Sequence, residues 1–341
     1  VAKQIAMTAQ QQFDQIDQTW SQFTDTTPSH FQMGPYVVSL DFATPSLTQK
    51  IARAFDHLKI ALPIPSDFTI RLWDASEIGG KLPPLEWNMI FRNGYRGYCE
   101  PPYYFHYFPC IGAISFLNTE QNKAYYVVRS GKDLPWWVSG SPLQPLLHAW
   151  FRERGLQLTH SAAISDGQSA LLLAGKGGSG KSTTVLTCLT EGMHYLGEDY
   201  CLLKPGSPPQ VYSIYQSAKW QAHTRKLFPN FDSCIINKDT ADTEKALIYY
   251  EDIFPKQIKS SSPIRALVSL TVGSAPEPSL QLQDPRAALR DLMMSTLLQL
   301  PFFHSQTMTL LDELSSQLPC YQLTLGTNFK SNTHLIRQLL K

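Results

Sequence analysis

The chain has 341 residues, 43% hydrophobic and 17% charged, with a formal net charge of +1 at pH 7. That length accommodates two domains, and the composition supports sizeable cores and excludes a disordered chain. The near-zero charge, with no long basic run, leaves no electrostatic footprint for nucleic acid, and no apolar run approaches the roughly 18 residues that would span a membrane. Val1–Gln12 is polar, lacks the apolar core of a signal peptide, and begins without Met, as a trimmed start would. The six cysteines, at 99, 110, 188, 201, 234 and 320, form no C-x-x-C pair. A zinc ribbon or redox motif is therefore not indicated, and reduced thiols in a cytoplasmic protein are the expectation.

In chain order, a short helix is predicted through Phe13 and Trp20, then a strand over 35–42. Ser46 to Leu58 has Ile51, Phe55 and Leu58 on one helical face, with Ser46 as the expected N-cap. Phe68–Asp74 alternates as a strand does. Tyr95 to Phe108 is crowded with aromatic rings, which would line a peptide groove or, more simply, pack as core. Residues 111–117 and 124–129 flank Asn118-Thr119-Glu120-Gln121-Asn122 as a hairpin, and Pro135-Trp136-Trp137 closes an α+β unit spanning 1–140. That unit matches no family pattern and is expected to bind a substrate or partner.

A helix from Ser141-Pro142 to about Gly155 opens the second domain, 141–341. It leads to a strand, Leu156 to His160, and then to the turn Ser165-Asp166-Gly167-Gln168. The second arm of this hairpin, Ala170-Leu171-Leu172-Leu173-Ala174, runs into Gly175-Lys176-Gly177-Gly178-Ser179-Gly180-Lys181-Ser182. The pattern G-x-x-x-x-G-K-[ST] is met at every fixed position, between a strand and a helix, which is the context its chemistry requires. Glycines let successive N–H groups converge on a polyphosphate, and the helix start adds unpaired donors and a favourable dipole. ATP is the expected nucleotide. Gly175, Gly177, Gly178, Ser179 and Gly180 would cradle it, Lys181 would reach the β- and γ-phosphates, Ser182 would ligate Mg²⁺, and Thr183 would donate to the α-phosphate.

Gly192 stops the helix. Next comes Met193 to Leu203, read as one short apolar strand with Glu198 and Asp199 adjacent at its middle. Two buried acids are costly unless a cation meets them, and strand alternation would send them to opposite sides. A strand over 210–215 follows. Arg225 and Lys226 read as solvated, and Lys245 as an exposed lysine at the end of another strand, within reach of phosphates. Residues 263–270 form a strand, Pro285–Leu298 a helix capped by Asp284, 310–318 a helix, 319–325 a strand and 332–340 a closing helix.

A phosphate loop followed at once by an acid pair, with His160 ahead of it, resembles HPr kinase/phosphorylase, of the phosphoenolpyruvate-carboxykinase-like P-loop group. The resemblance covers about 156–215 by motif. It implies an α/β kinase domain, with Glu198 as general base, Asp199 as Mg²⁺ ligand and His160 bonding a carboxylate or phosphate. The family has Asp-Asp where this chain has Glu-Asp. Phosphoryl transfer to a Ser or Thr hydroxyl of a protein is implied, or of a ribosomal peptide such as a lasso-peptide precursor. A small-metabolite kinase and a non-catalytic nucleotide sensor remain open, as does a homo-oligomer. The guanine motif N-K-x-D is not met: Asn237-Lys238-Asp239-Thr240 has its acid one place early. The strand ending at Val272-Gly273 carries no acid either, which argues against a motor or transporter ATPase.

Overall fold

The computed structural model describes residues 7–61, 64–79, 87, 89–90, 95–302 and 305–341. Val1–Ala6 of the polar start lie outside the described residues. The chain divides into two compact units, Val1–Glu153 and Arg154–Lys341.

A capping box opens the first helix. Thr8 Oγ1 accepts from Gln11 N at 3.2 Å, and Gln11 Oε1 accepts from Thr8 N at 2.9 Å. This helix, α1 (Ala9–Trp20), lies on a mixed sheet. The strands are β1 (Thr27–Met33), β2 (Tyr36–Phe42), β3 (Lys59–Ile60), β4 (Phe68–Asp74), β5 (Met89–Ile90), β6 (Arg96–Glu100), β7 (Tyr103–Phe108), β8 (Ala113–Asn118) and β9 (Lys123–Val128). Among the described residues their order is β3-β1-β2-β4-β9-β8-β7-β6-β5. Only the central β2, β4 and β9 run parallel to one another.

The alternation of β4 assigns its faces. Arg71 and Trp73 face α1, where Trp73 packs 6.0 Å from Trp20, ring to ring. Phe68 faces the other way. The remaining helices of this unit are α2 (Pro45–Ala52), α3 (Ala75–Ile78), α4 (Trp136–Gly140) and α5 (Gln144–Arg152). Thr44, not Ser46, occupies the N-cap of α2, because Pro45 with its fixed φ starts the helix two residues early. The aromatic stretch is packed as core, with Phe105 between Tyr98 and Phe116 at 5.5 and 5.0 Å and Tyr103 against Phe13 at 5.9 Å. Trp150 of α5 stacks on Phe68 at 4.6 Å and 5°. That contact draws α5 into the first unit, so the division falls at Glu153 rather than at 140.

In the second unit the hairpin turn forms as Asp-Gly sequences favour. Asp166 Oδ1 accepts from Gln168 N and Ser169 N at 2.8 and 2.9 Å, and Gly167 has φ +103°. Its arms are β11 (Ala162–Ser165) and β12 (Ala170–Ala174). Leu156 to His160 is not part of it. β10 (Gln157–Thr159) pairs instead with β14 (Cys201–Lys204), and His160 occupies the corner between β10 and β11.

β12 is followed by α6 (Lys181–Thr190), β13 (His194–Gly197), β14, β15 (Gln210–Ser213) and a separate ribbon of β16 (Ser217–Trp220) with β17 (Ala246–Tyr249). Between the ribbon strands lies α7 (Ala222–Leu227). β18 (Ser261–Val272), β19 (Ser279–Leu282), α8 (Pro285–Leu297), α9 (Ser305–Gln317), β20 (Cys320–Leu325) and α10 (Phe329–Leu340) complete the chain. β12, β18 and β20 are parallel and central. Being covered on both faces, β12 is an unbroken apolar run. Leu171 and Leu173 meet Val185 and Leu189 of α6 and Ile336 and Leu340 of α10. Ala170, Leu172 and Ala174 meet Ala288 and Leu292 of α8 and Leu311 and Leu314 of α9. No helix among the described residues is long and apolar enough to cross a membrane.

Candidate functional site

The loop from Gly175 to Ser182 joins the C-terminal end of β12 to the N-terminus of α6. Gly175 and Gly180 are required sterically: φ is +145° and +95°, and an added Cβ would come within 2.5 Å of Ser179 Oγ and of Leu325 Cδ1 respectively. Gly178 also has positive φ, +83°, whereas Gly177 does not. A Cβ at Gly177 or Gly178 would meet nothing within 4 Å. The loop is therefore closed on its protein side and open above these two residues, as a cradle for phosphates must be. Ser179 Oγ is buried without a hydrogen-bond partner. Lys181 is 8% exposed and folds back so that Nζ donates to Gly175 O at 2.5 Å. Burial pushes its ammonium below the ordinary lysine range, while Asp199 and Glu198 act in the opposite direction. Thr183 Oγ1 lies 3.2 Å from Thr224 Oγ1 of α7.

Above the loop is a cavity of about 450 Å³, within the range of small-molecule sites. It is lined by Lys176–Thr184, by His160, Glu198 and Asp199, and toward α10 by Leu325, Phe329 and Thr333. Its size and donor set fit a nucleoside triphosphate.

The acid pair does not sit inside a strand. Glu198 and Asp199 form a bend between β13 and β14, so both carboxylates reach the same cavity. Their surroundings differ. Glu198 is 3% exposed and accepts hydrogen bonds from the Tyr250 hydroxyl and the Ser182 hydroxyl. Tyr250 in turn accepts from Trp220 Nε1 at 3.2 Å. Burial pushes the Glu198 carboxyl up to about 7, against the pull of Tyr250 and Ser182 and with help from the Asp199 charge. Asp199 has a side chain one-quarter exposed, with Lys219 Nζ at 3.1 Å and His160 Nε2 at 3.4 Å. Burial alone would raise its carboxyl, but Lys219 and His160 outweigh it and hold Asp199 well below the ordinary range.

His160 is thus beside Asp199, and its Nδ1 is buried without a partner. Its backbone is gripped by α8. Ser295 Oγ donates to His160 O at 2.9 Å, and Thr296 Oγ1 accepts from His160 N at 3.2 Å. Two site residues had no signal in sequence. Lys219 lies on the β16–β17 ribbon, 20 positions after Asp199, and Tyr250 follows the second ribbon strand. Lys245, expected to be an exposed strand-end lysine, is exposed and also lines the cavity. Arg225 is tied to Ala241 O at 2.7 Å and Asp242 at 2.9 Å rather than simply solvated. The near-miss of the guanine motif is a loop stitch, with Asn237 Oδ1 accepting from Leu247 N at 2.7 Å and Nδ2 donating to Lys245 O at 2.9 Å.

Among the described residues, no group of three or more His, Cys, Asp and Glu side chains could hold a metal by itself. A magnesium ion would suit the site if phosphate oxygens and water supplied most of its ligands, which is how Mg²⁺ usually binds beside nucleotides. The hydroxyl–carboxylate pair Ser182 and Glu198 offers hard oxygens at the loop's end, whereas Asp199 is already compensated by two basic side chains.

No family model matches the chain, and no curated protein matches it. Among solved structures, the Hpr(Ser) kinase/phosphatase from Coxiella burnetii is similar at a TM-score of 0.30 and 10% identity, over 53% of this chain and 95% of that one. The likeness is weak, and no residue role is taken from it. The chain is a mixed α/β protein with large mixed sheets.

Proposed function

We propose that the second unit is an ATP-dependent kinase that transfers the γ-phosphoryl group to a Ser or Thr hydroxyl of a protein or peptide. One observation carries the reading: Lys181, Ser182, Glu198 and Asp199 line a single cavity above a phosphate loop that is sterically open at Gly177 and Gly178. The loop N–H groups and Lys181 bind and orient the triphosphate. Glu198 and Ser182 together would hold Mg²⁺, which neutralises charge on the β- and γ-phosphates. Asp199 is left to orient the acceptor hydroxyl and take its proton. This exchanges the two acid roles that the family resemblance implies, in which Glu198 is the base and Asp199 the metal ligand. The Ser182–Glu198 hydrogen bond and the greater exposure of Asp199 support the exchange. A carboxylate paired with two basic groups is a weak base, but phosphoryl transfer proceeds through a loose transition state that asks mainly for positioning and charge stabilisation.

Labelled ATP with wild type, Glu198→Gln and Asp199→Asn tests the assignment. Glu198→Gln should raise the Mg²⁺ concentration needed for half-maximal rate, and Asp199→Asn should lower kcat while nucleotide affinity is kept. The opposite pattern would restore the family's assignment. ATP binding with no transfer to any protein, peptide or metabolite hydroxyl would make the unit a nucleotide sensor.

A further inference from the structure

A second cavity, of about 710 Å³, lies on the other side of the phosphate loop, between Gly175–Ser179 and α8. It meets the first cavity along His160, Val272, Gln299 and the loop residues 176–179, which line both. Its outer rim is apolar and exposed. Met294 is 55%, Leu298 59% and Val272 64% exposed. Five large apolar side chains described in the second unit are strongly exposed (Ile236, Val272, Leu282, Met294 and Leu298), and three of them converge on this rim. Met294 and Leu298 are four residues apart on α8, so they form one stripe. Ser295, which also lines this cavity, and Thr296 of the same helix hold the backbone of His160. One helix thus carries the apolar rim and also positions the histidine beside Asp199.

We propose that this cavity is the acceptor site, and that its occupant is a peptide segment with a large apolar side chain within about two residues of the hydroxyl that is phosphorylated. The proposal rests on the kinase reading above. Charge argues against an anionic metabolite. Among the described lining residues Lys176 is the only Lys or Arg, and it belongs to the phosphate loop, while Asp291 contributes a carboxylate. A phosphorylated sugar would find a like charge and no cradle of its own. A peptide would place its apolar side chain on Met294, Leu298 and Val272 and its hydroxyl toward His160 and Asp199. In the step, the acceptor oxygen forms a bond to the γ-phosphorus as the bond from that phosphorus to the β–γ bridging oxygen breaks. ADP leaves, and the hydroxyl proton passes to Asp199.

The test is phosphorylation of Ser peptides that carry Leu, Asp or Lys two residues from the Ser, by wild type and by Met294→Glu/Leu298→Glu. Wild type should favour the Leu peptide. The double variant should raise its KM by about tenfold or more, the scale of losing one buried apolar side chain, with nucleotide Kd unchanged as proof of folding. Met294→Ala/Leu298→Ala should give a smaller shift in the same direction. No preference among the peptides, or an unchanged KM in the Glu variant, would overturn the proposal. If wild type phosphorylates only a small metabolite, the acceptor proposal falls together with the protein or peptide part of the kinase reading, and only ATP-dependent phosphoryl transfer stands. If wild type binds no ATP, both fall.

Discussion

Each unit places one aspartate between two basic side chains, and the contrast between them separates a tie from a site. Asp17 of α1 meets Arg71 at 2.9 Å and Lys123 at 3.1 Å and accepts from the Tyr125 hydroxyl. Those partners all come from the sheet beneath, so the cluster fastens a helix to its strands. Asp199 meets Lys219 and His160 at 3.1 and 3.4 Å, with comparable chemistry. Its partners come from a ribbon strand and a strand corner, and the group faces a cavity floored by a glycine-rich loop. Paired charges do not make a site; an open, donor-lined space beside them does.

Removing the loop's cation should break the second cluster's function most completely. Lys181→Ala is expected to lower phosphoryl transfer by roughly three decades or more, since charge stabilisation dominates this chemistry. Arg71→Ala, its counterpart in the first unit, should leave the transfer rate unchanged when both are assayed with labelled ATP. Neutralising the two aspartates comes next. Asp199→Asn should cost roughly two to four decades in kcat and also lower Tm at pH 7, since Lys219 and His160 hold its carboxyl well below the ordinary range, whereas Asp17→Asn should leave kcat alone.

A pair of Tyr→Phe changes sharpens the comparison further. Tyr250→Phe leaves the fully enclosed Glu198 with one donor fewer, a loss of about 1–3 kcal/mol, seen as a few degrees in Tm and a higher Mg²⁺ requirement. Tyr125→Phe should cost less, because Arg71 and Lys123 still serve Asp17. The smallest effect concerns acid stability. Burial alone would raise the Asp17 carboxyl, but hydrogen bonds from Tyr125 and Lys123 and the charges of Lys123 and Arg71 hold it below 3.8. A depressed carboxyl adds stability above its unfolded pKa and loses it as pH falls through the folded value. Asp17→Asn should therefore lower Tm at pH 7 by roughly 1–3 °C, as a partly exposed pair allows. The deficit should vanish as pH falls below 3.8 toward the folded value. A deficit that persists in strong acid would mean that Asp17 acts through packing.

The run of strand, glycine-rich loop and helix around residues 175–182 was legible in sequence, because the pattern fixes residue types at fixed local spacing. The same holds for the Asp-Gly turn before it and for Asp284 and Pro285 at the start of α8. The adjacency of Glu198 and Asp199 was also visible, but not their bend. Apolar residues on either side made one strand of what are β13 and β14, with different partners. Lys219 and Tyr250 were illegible for a related reason. They reach the acids through the pairing of β16 with β17, a contact between segments about 30 residues apart that no local pattern records. In the first unit β1 was missed because Thr27-Pro28-Ser29-His30-Phe31-Gln32-Met33 shows weak apolar alternation and holds its place by pairing along the whole length of β2.

The hydrogen-bonded line from Trp220 through Tyr250 to Glu198 has an optical consequence. The chain contains seven tryptophans, and Trp220 is the only one after residue 153. Its indole N–H terminates a buried line whose other end is the carboxylate beside Ser182. Indole emission is sensitive to the polarity and charge around its N–H. The second unit therefore carries an intrinsic fluorophore hydrogen-bonded through Tyr250 to Glu198, and on the proposed function the emission lost in Trp220→Phe should isolate a signal that follows cation and nucleotide arrival with no added label.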